Sequence, residues 1–169
     1  IAYCYAELGR HEDAINLRRS VYRKYLAKYG PTHRKVLGAG LDLGRSLVDD
    51  YFFEDAKPFL LDLIPKAKIT FGNEHQNTLL MILYYAIAVQ KHCESSLDEQ
   101  REAIAMLEDV CRIYRQVYGA DHPMRGIADG RLKDARKRLS AQEARLVEDA
   151  SEKLAQGLRI DGEDESEAP

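Results

Sequence analysis

The chain has 169 residues, of which 45% are hydrophobic and 31% charged. That is one ordinary globular domain by length, and the composition excludes a disordered chain. No run approaches 18 apolar residues, and a formal net charge of −3 excludes the strong basic bias of a nucleic-acid binder, so neither a membrane nor a nucleic acid is an expected partner.

The charge is unevenly spread: residues 161–169 hold five acids and no base, and the rest holds 25 bases against 23 acids. Residues 1–9 lack an initiator Met and the basic start of a signal peptide, so the chain reads as a piece of something longer. Cys4, Cys93 and Cys111 include no CxxC pair and are too few for a disulfide framework, which points to a reducing, cytoplasmic setting.

In chain order the sequence repeats itself. An Ala follows two polar residues at Ala14, Ala56 and Ala103, and an aromatic-Gly-x-x-His stretch ends at His33, His75 and His122. The glycines Gly30, Gly72 and Gly119 are 42 and then 47 apart, as are the alanines, and each Ala precedes its Gly by 16 residues. The five extra residues of the third copy therefore belong in the polar stretch 91–100.

Between these markers the spacing is helical. Ala14, Leu17, Val21, Tyr25 and Tyr29 fall on one face, and so do Ala56, Phe59, Leu63, Ala67 and Phe71, then Ala103, Met106, Val110, Tyr114 and Tyr118. A small residue 12 positions upstream of Ala14 and of Ala56 (Ala2, Gly44), and 17 upstream of Ala103 across the insertion (Ala86), marks a partner helix and lets two backbones approach closely. Each unit is thus a helix hairpin that cannot bury both of its faces, so the units stack. The glycines predict helix stops, and Thr32, Asn73 and Asp121 predict the caps of the helices that follow. Pro58 and Pro65 sit in one predicted helix and predict a curved or kinked helix there.

At the C-terminal end, Ser140-Ala141-Gln142-Glu143 has the form of a capping box, which predicts a new helix at that point; one long helix with Leu132, Leu139 and Leu146 at heptad spacing is the alternative. The expected layout is one array over 1–158, with units at about 1–30, 31–72 and 73–119 and a cap at 120–158, followed by a disordered acidic tail at 159–169.

These motifs resemble the tetratricopeptide repeat, in its 42-residue form found in kinesin light chains. Gly9-Arg10-His11-Glu12-Asp13-Ala14 and Phe53-Glu54-Asp55-Ala56-Lys57-Pro58 look like that family's G-K-Y-E-E-A-E-P, and Tyr118-Gly119-Ala120-Asp121-His122-Pro123 looks like its L-G-x-D-H-P. The family's paired Asn is replaced by Leu41-Asp42 and Leu83-Tyr84, and Lys133 stands where the small residue of the fourth unit belongs. The resemblance implies an all-α, right-handed superhelical solenoid of three to four antiparallel hairpins, with the first helix of each unit lining a concave face. By register that face would hold Tyr3 and Ala6; Gly38, Leu41, Arg45 and Val48; Leu80, Leu83, Ile87 and Gln90; and Ile127, Gly130, Asp134 and Lys137. Arg45 would be an isolated cation among leucines.

No signature of catalysis is present: no GxSxG, P-loop or GxGxxG, and the Glu-Asp pairs sit at helix starts where the dipole favours them. His33, His75 and His122 occupy equivalent places in successive units, too far apart to share a metal ion, and read as turn or cap residues. His11 and His92 read as surface residues, and the cysteines as small packing residues. No cofactor and no metal is expected. The function expected is non-enzymatic capture of a protein or peptide segment. The alternative is a structural or oligomerisation module, packed against another copy or another part of a larger parent, such as an enzyme that the array regulates.

Overall fold

The structure is a computed structural model and describes residues 10–119 and 121–163. Among these residues it is a succession of helices with no strand: α1 (His11–Tyr29), α2 (Arg34–Asp49), α3 (Phe53–Phe71), α4 (Gln76–Lys91), α5 (Leu97–Ile113) continuing into a π-helical turn (Tyr114–Tyr118), and α6 (Pro123–Glu163). Ala2, Tyr3, Cys4 and Ala6 lie outside the described residues, and so does the tail beyond Glu163. Each helix packs on the next, and α2 also packs on α4, as α4 does on α6. The chain therefore stacks hairpins side by side, first helix against first helix.

The periodic residues explain why. Ala14, Ala56 and Ala103 are each at most 1% exposed, where a second helix meets its first-helix neighbours. Gly44 is the tightest point: a Cβ there would lie 2.4 Å from Leu60 Cδ2, and one on Gly40 would lie 2.7 Å from Leu63 Cδ1. Both leucines of α3 are fully buried, so α3 fills the notch that the two glycines leave in α2. The core is centred on α3, α4 and α5, and includes Leu60, Leu63, Leu79, Met81, Tyr85, Leu107 and Val110. In α1 the equivalent stripe stays partly open, with Val21 and Tyr25 exposed.

The joints between units are built one way. Gly30, Gly72 and Gly119 have φ of 79°, 99° and 85° with extended ψ, a region that is essentially glycine's alone. This differs from the left-handed helical stop expected: after Gly30 the chain makes a tight turn, His33 N–H donating to Gly30 C=O at 3.3 Å, before the next helix. Of the two sets of residues expected at the caps, the histidines take the position. His33 and His75 hold the cap position, each Nδ1 accepting from the backbone N–H two residues on, at 3.2 and 3.1 Å. His122 Nδ1 accepts from Met124 N–H at 3.3 Å in the same way. Thr32, Asn73 and Asp121 lie one or two residues too early.

Each capping imidazole also stacks on an aromatic ring of the preceding helix. Tyr29–His33 and Phe71–His75 have centroids 4.6 Å apart and nearly parallel planes. In the third joint the helix ends in a π-helical turn. His122 stacks there on Tyr114 at 5.2 Å, while Tyr118 tilts away and donates its hydroxyl to Glu74 C=O at 2.8 Å. The acids Glu12, Asp13, Glu54 and Asp55 occupy first turns as expected. Both Pro58 and Pro65 lie inside α3, which runs through them without a break.

The five-residue insertion divides in two. The link between α2 and α3 has three residues, and that between α4 and α5 has five. The other three lengthen α5, which starts six residues before Ala103 where α3 starts three before Ala56. Ser96 and Glu99 close a full capping box at that new start.

No helix starts at Ser140. Glu143, which a capping box would turn back onto Ser140, instead accepts from Arg101 Nη2 at 2.7 Å, and Gln142 pairs with Gln100 at 2.7 Å. With Arg136–Glu108 and Arg115–Asp129 these contacts hold α6 along α5 through Ser140 as one helix. That helix reaches Glu163 and so includes the first residues of the acidic segment.

Gly72→Ala is expected to cost about 1–3 kcal/mol, because alanine has room there but strains at φ 99°. Chemical denaturation of the two proteins measures it; unchanged stability would mean that the joint takes another conformation.

Candidate functional site

Two neighbouring first helices present one mixed face. On α2, Leu41, Asp42, Arg45 and Asp49 recur at helical spacing; Leu41 is half-buried and the three polar residues are exposed. On α4 the matching stripe is Leu80, Tyr84 and Ile87, each half-buried and packed against the core. Arg45 of α2 lies close enough to the Tyr84 hydroxyl of α4 to act on its ionisation. The face is thus apolar in its middle and edged by two carboxylates.

Its electrostatics follow from partial burial. Desolvation pushes the Tyr84 phenol up, and the nearby Asp49 and Asp42 charges push the same way while Arg45 opposes. Desolvation also raises the Asp49 carboxyl, against the pull of Arg45 and Arg18. Taking Asp49 out of water therefore already costs the folded protein something, and a cation arriving there would offset that cost.

The residues expected in a groove divide on inspection. Leu41, Leu80 and Ile87 are half-exposed and Arg45 is exposed, as a contact face requires. Val48 and Leu83 are 5% and 3% exposed, so they belong to the core and no ligand can reach them. Arg45 is not isolated, since it lies close to Tyr84 and has Asp49 beside it. Gln90 is committed to α6: its Nε2 donates to Arg131 C=O at 3.0 Å, and its own C=O accepts from Arg138. Asp134 and Lys137 are exposed on α6, as are Ile127 and Gly130, while Gly38 is half-buried on α2.

Carrying the register over by family position selected Leu83 and passed over its neighbour Tyr84. The signal was available: Tyr84 is four residues after Leu80 and three before Ile87, on the same stripe. Asp42 and Asp49 follow from Arg45 by the same count.

Nothing at this face is arranged for covalent chemistry. The buried Cys111 thiol is pushed up to about 11, first by desolvation and then by its hydrogen bond to Asp129, which keeps it protonated and unreactive. His33, His75 and His122 are each engaged in their own cap. His92 departs from the surface reading, because its side chain is only 14% exposed. Among the described residues no helix is long and apolar enough to cross a membrane.

The tetratricopeptide repeat family's sequence model matches residues 94–123. Among solved structures, the chain is similar to kinesin light chain nearly identical TPR-like repeats of Podosopora anserina. A single-substitution variant of that protein superposes with a TM-score of 0.67 at 21% identity, covering 98% of this chain and 74% of that one. Another crystal structure of the same repeats gives a TM-score of 0.65 at 22% identity, with the same coverage. Among curated protein sequences none matches.

The division into core and face predicts opposite outcomes for two leucines of one helix. Leu83→Ala is expected to cost about 2–5 kcal/mol, as buried leucines do. Leu80→Ala, half-exposed, is expected to cost clearly less. Equal losses in thermal or urea melts would contradict the assignment.

Proposed function

We propose that this right-handed tetratricopeptide-repeat solenoid, with units of the kinesin-light-chain kind, is a non-enzymatic scaffold that captures a peptide segment on the α2–α4 face. The observation that carries the proposal is the half-exposed stripe of Leu41, Leu80, Tyr84 and Ile87 on two adjacent first helices. Such residues keep part of their apolar surface in water, and a ligand that covers them gains roughly 25 cal/mol per Å² of apolar surface. Aromatic anchors in the middle of a contact, with polar groups at its rim, carry most of the affinity in interfaces of this kind.

The chemistry of the rim narrows the ligand. Arg45 faces the Asp49 charge, so Asp42, Arg45 and Asp49 together leave the face with a net negative charge. Asp42 and Asp49 supply it, with Asp49 already paying for partial desolvation. The ligand that fits is a segment with apolar anchors and a neighbouring lysine or arginine. α6 extends the same layer of first helices through Gln90, and Asp134 and Lys137 lie on that extension.

Peptides selected on the immobilised protein from a random library test this directly. The selected sequences are expected to combine apolar and basic residues. A Leu80→Ser Tyr84→Ala double variant is expected to lose about tenfold or more of their affinity, while Ile69→Ser, at a side chain 80% exposed on α3, is expected to bind normally. Full binding by the double variant, with its fold intact by circular dichroism, would place the site elsewhere.

A further inference from the structure

The insertion that distinguishes the third unit builds a second cluster, away from the α2–α4 face. We propose that Glu54, His92 and Glu94 form a binding site for a divalent transition-metal ion of the zinc type.

Three observations converge. Glu54 stands in the first turn of α3, and the longer α4–α5 link brings His92 and Glu94 over it, so that one ligand atom from each lies within 4.8 Å of the other two. The link between α2 and α3 is two residues shorter and has Tyr51 and Phe52 at the places where this one has Cys93 and Glu94. Second, the His92 side chain is largely buried. It is 14% exposed, its Nδ1 is buried without a hydrogen-bond partner, and its Nε2 faces Glu54 Oε1 at 3.8 Å. Third, the cluster has charge but no counter-charge. Among the described residues no lysine or arginine pairs with Glu54 or Glu94, whereas neighbouring Asp55 is held by Arg19 and nearby Glu99 by Lys57. The three ligands line a cleft of about 400 Å³ together with Tyr51, Phe52, Phe53, Asp55 and Cys93.

The distances suit an ion. Zinc bonds to nitrogen and oxygen are about 2.0–2.2 Å, so a tetrahedral ion holds its donors roughly 3.4 Å apart. Glu54 is 82% exposed, and both carboxylates can swing inward by the ångström or so needed, toward an imidazole that does not have to move. One imidazole with two carboxylates suits zinc and its neighbours rather than calcium or magnesium, which take oxygen ligands alone. Two carboxylates also neutralise a dication. The fourth position is left for water. Because Nδ1 has no acceptor to steady it when the metal takes Nε2, the expected affinity is micromolar rather than that of a structural zinc site.

Calorimetric titration of the untagged 169-residue chain with zinc chloride tests the proposal. One ion per chain with a micromolar Kd is expected. Glu54→Gln, whose exposed side chain puts folding at no risk, and His92→Ala are each expected to weaken binding about tenfold or more. Cys93→Ser is expected to bind as the parent does. Zinc is also expected to raise the melting temperature of the parent protein and not that of His92→Ala, because it ties α3 to the α4–α5 link. No saturable binding below millimolar zinc would overturn the site. So would binding that survives Glu54→Gln and His92→Ala unchanged, or that vanishes with Cys93→Ser alone.

Discussion

The array depends on steric room at one position in each first helix. At Gly44 there is no space for even a methyl group, because Leu60 of the next helix occupies it. That contact sets how closely α2 and α3 approach, and Leu63 repeats it one turn away against Gly40. In the next unit Ala86 takes the same place, wholly buried. Close approach of a pair leaves each hairpin thin, so its other face must be covered by the next hairpin. The joints then fix the angle at which that happens. A glycine with φ that other residues avoid, a histidine capping the new helix, and an aromatic ring stacked under that histidine recur at each joint.

The arrangement leaves the first helices side by side. α2 and α4 meet directly, and their outward residues form one continuous surface. A lone helix would offer a stripe one residue wide. Two helices that bring Arg45 and Tyr84 close together offer a floor with a rim. The second helices do not meet each other in this way; α1 and α3 are bridged by Arg19–Asp55 and by the edge-on contact of Tyr22 and Phe59. The solenoid therefore has two unlike sides, and the face proposed for capture is on the side of the first helices.

Much of this was legible in the sequence because repetition multiplies the signal. One Ala or one Gly means little, but three in a common frame locate the hairpins, the close contacts and the insertion between residues 91 and 100. What was not legible depends on competition between partners. Thr32, Asn73 and Asp121 and the three histidines all suited the caps; the aromatic ring beneath each imidazole decides between them by stacking on it. Ser140 has the residues of a helix start, but Arg101 from α5 takes the Glu143 side chain that would have closed the box. Leu83 and Tyr84 are adjacent, and a register carried over from other repeats cannot tell which of two neighbours turns inward. His92 was lost for a related reason: its counterpart in the shorter link is Asp50, a polar residue from which burial is not read.

The claim beneath all of this is that one joint, used three times, holds the hairpins in a common frame. Long-range nitrogen–proton correlation spectra of the histidine side chains test it most directly, since a ring whose Nδ1 accepts a backbone N–H must carry its proton on Nε2. His33, His75 and His122 are expected to show that tautomer together near neutral pH, each with ring protons shifted by the aromatic neighbour it stacks on. Three histidines with mixed or averaged tautomers, like those of an unstructured peptide, would contradict the shared joint and the stacked architecture built on it.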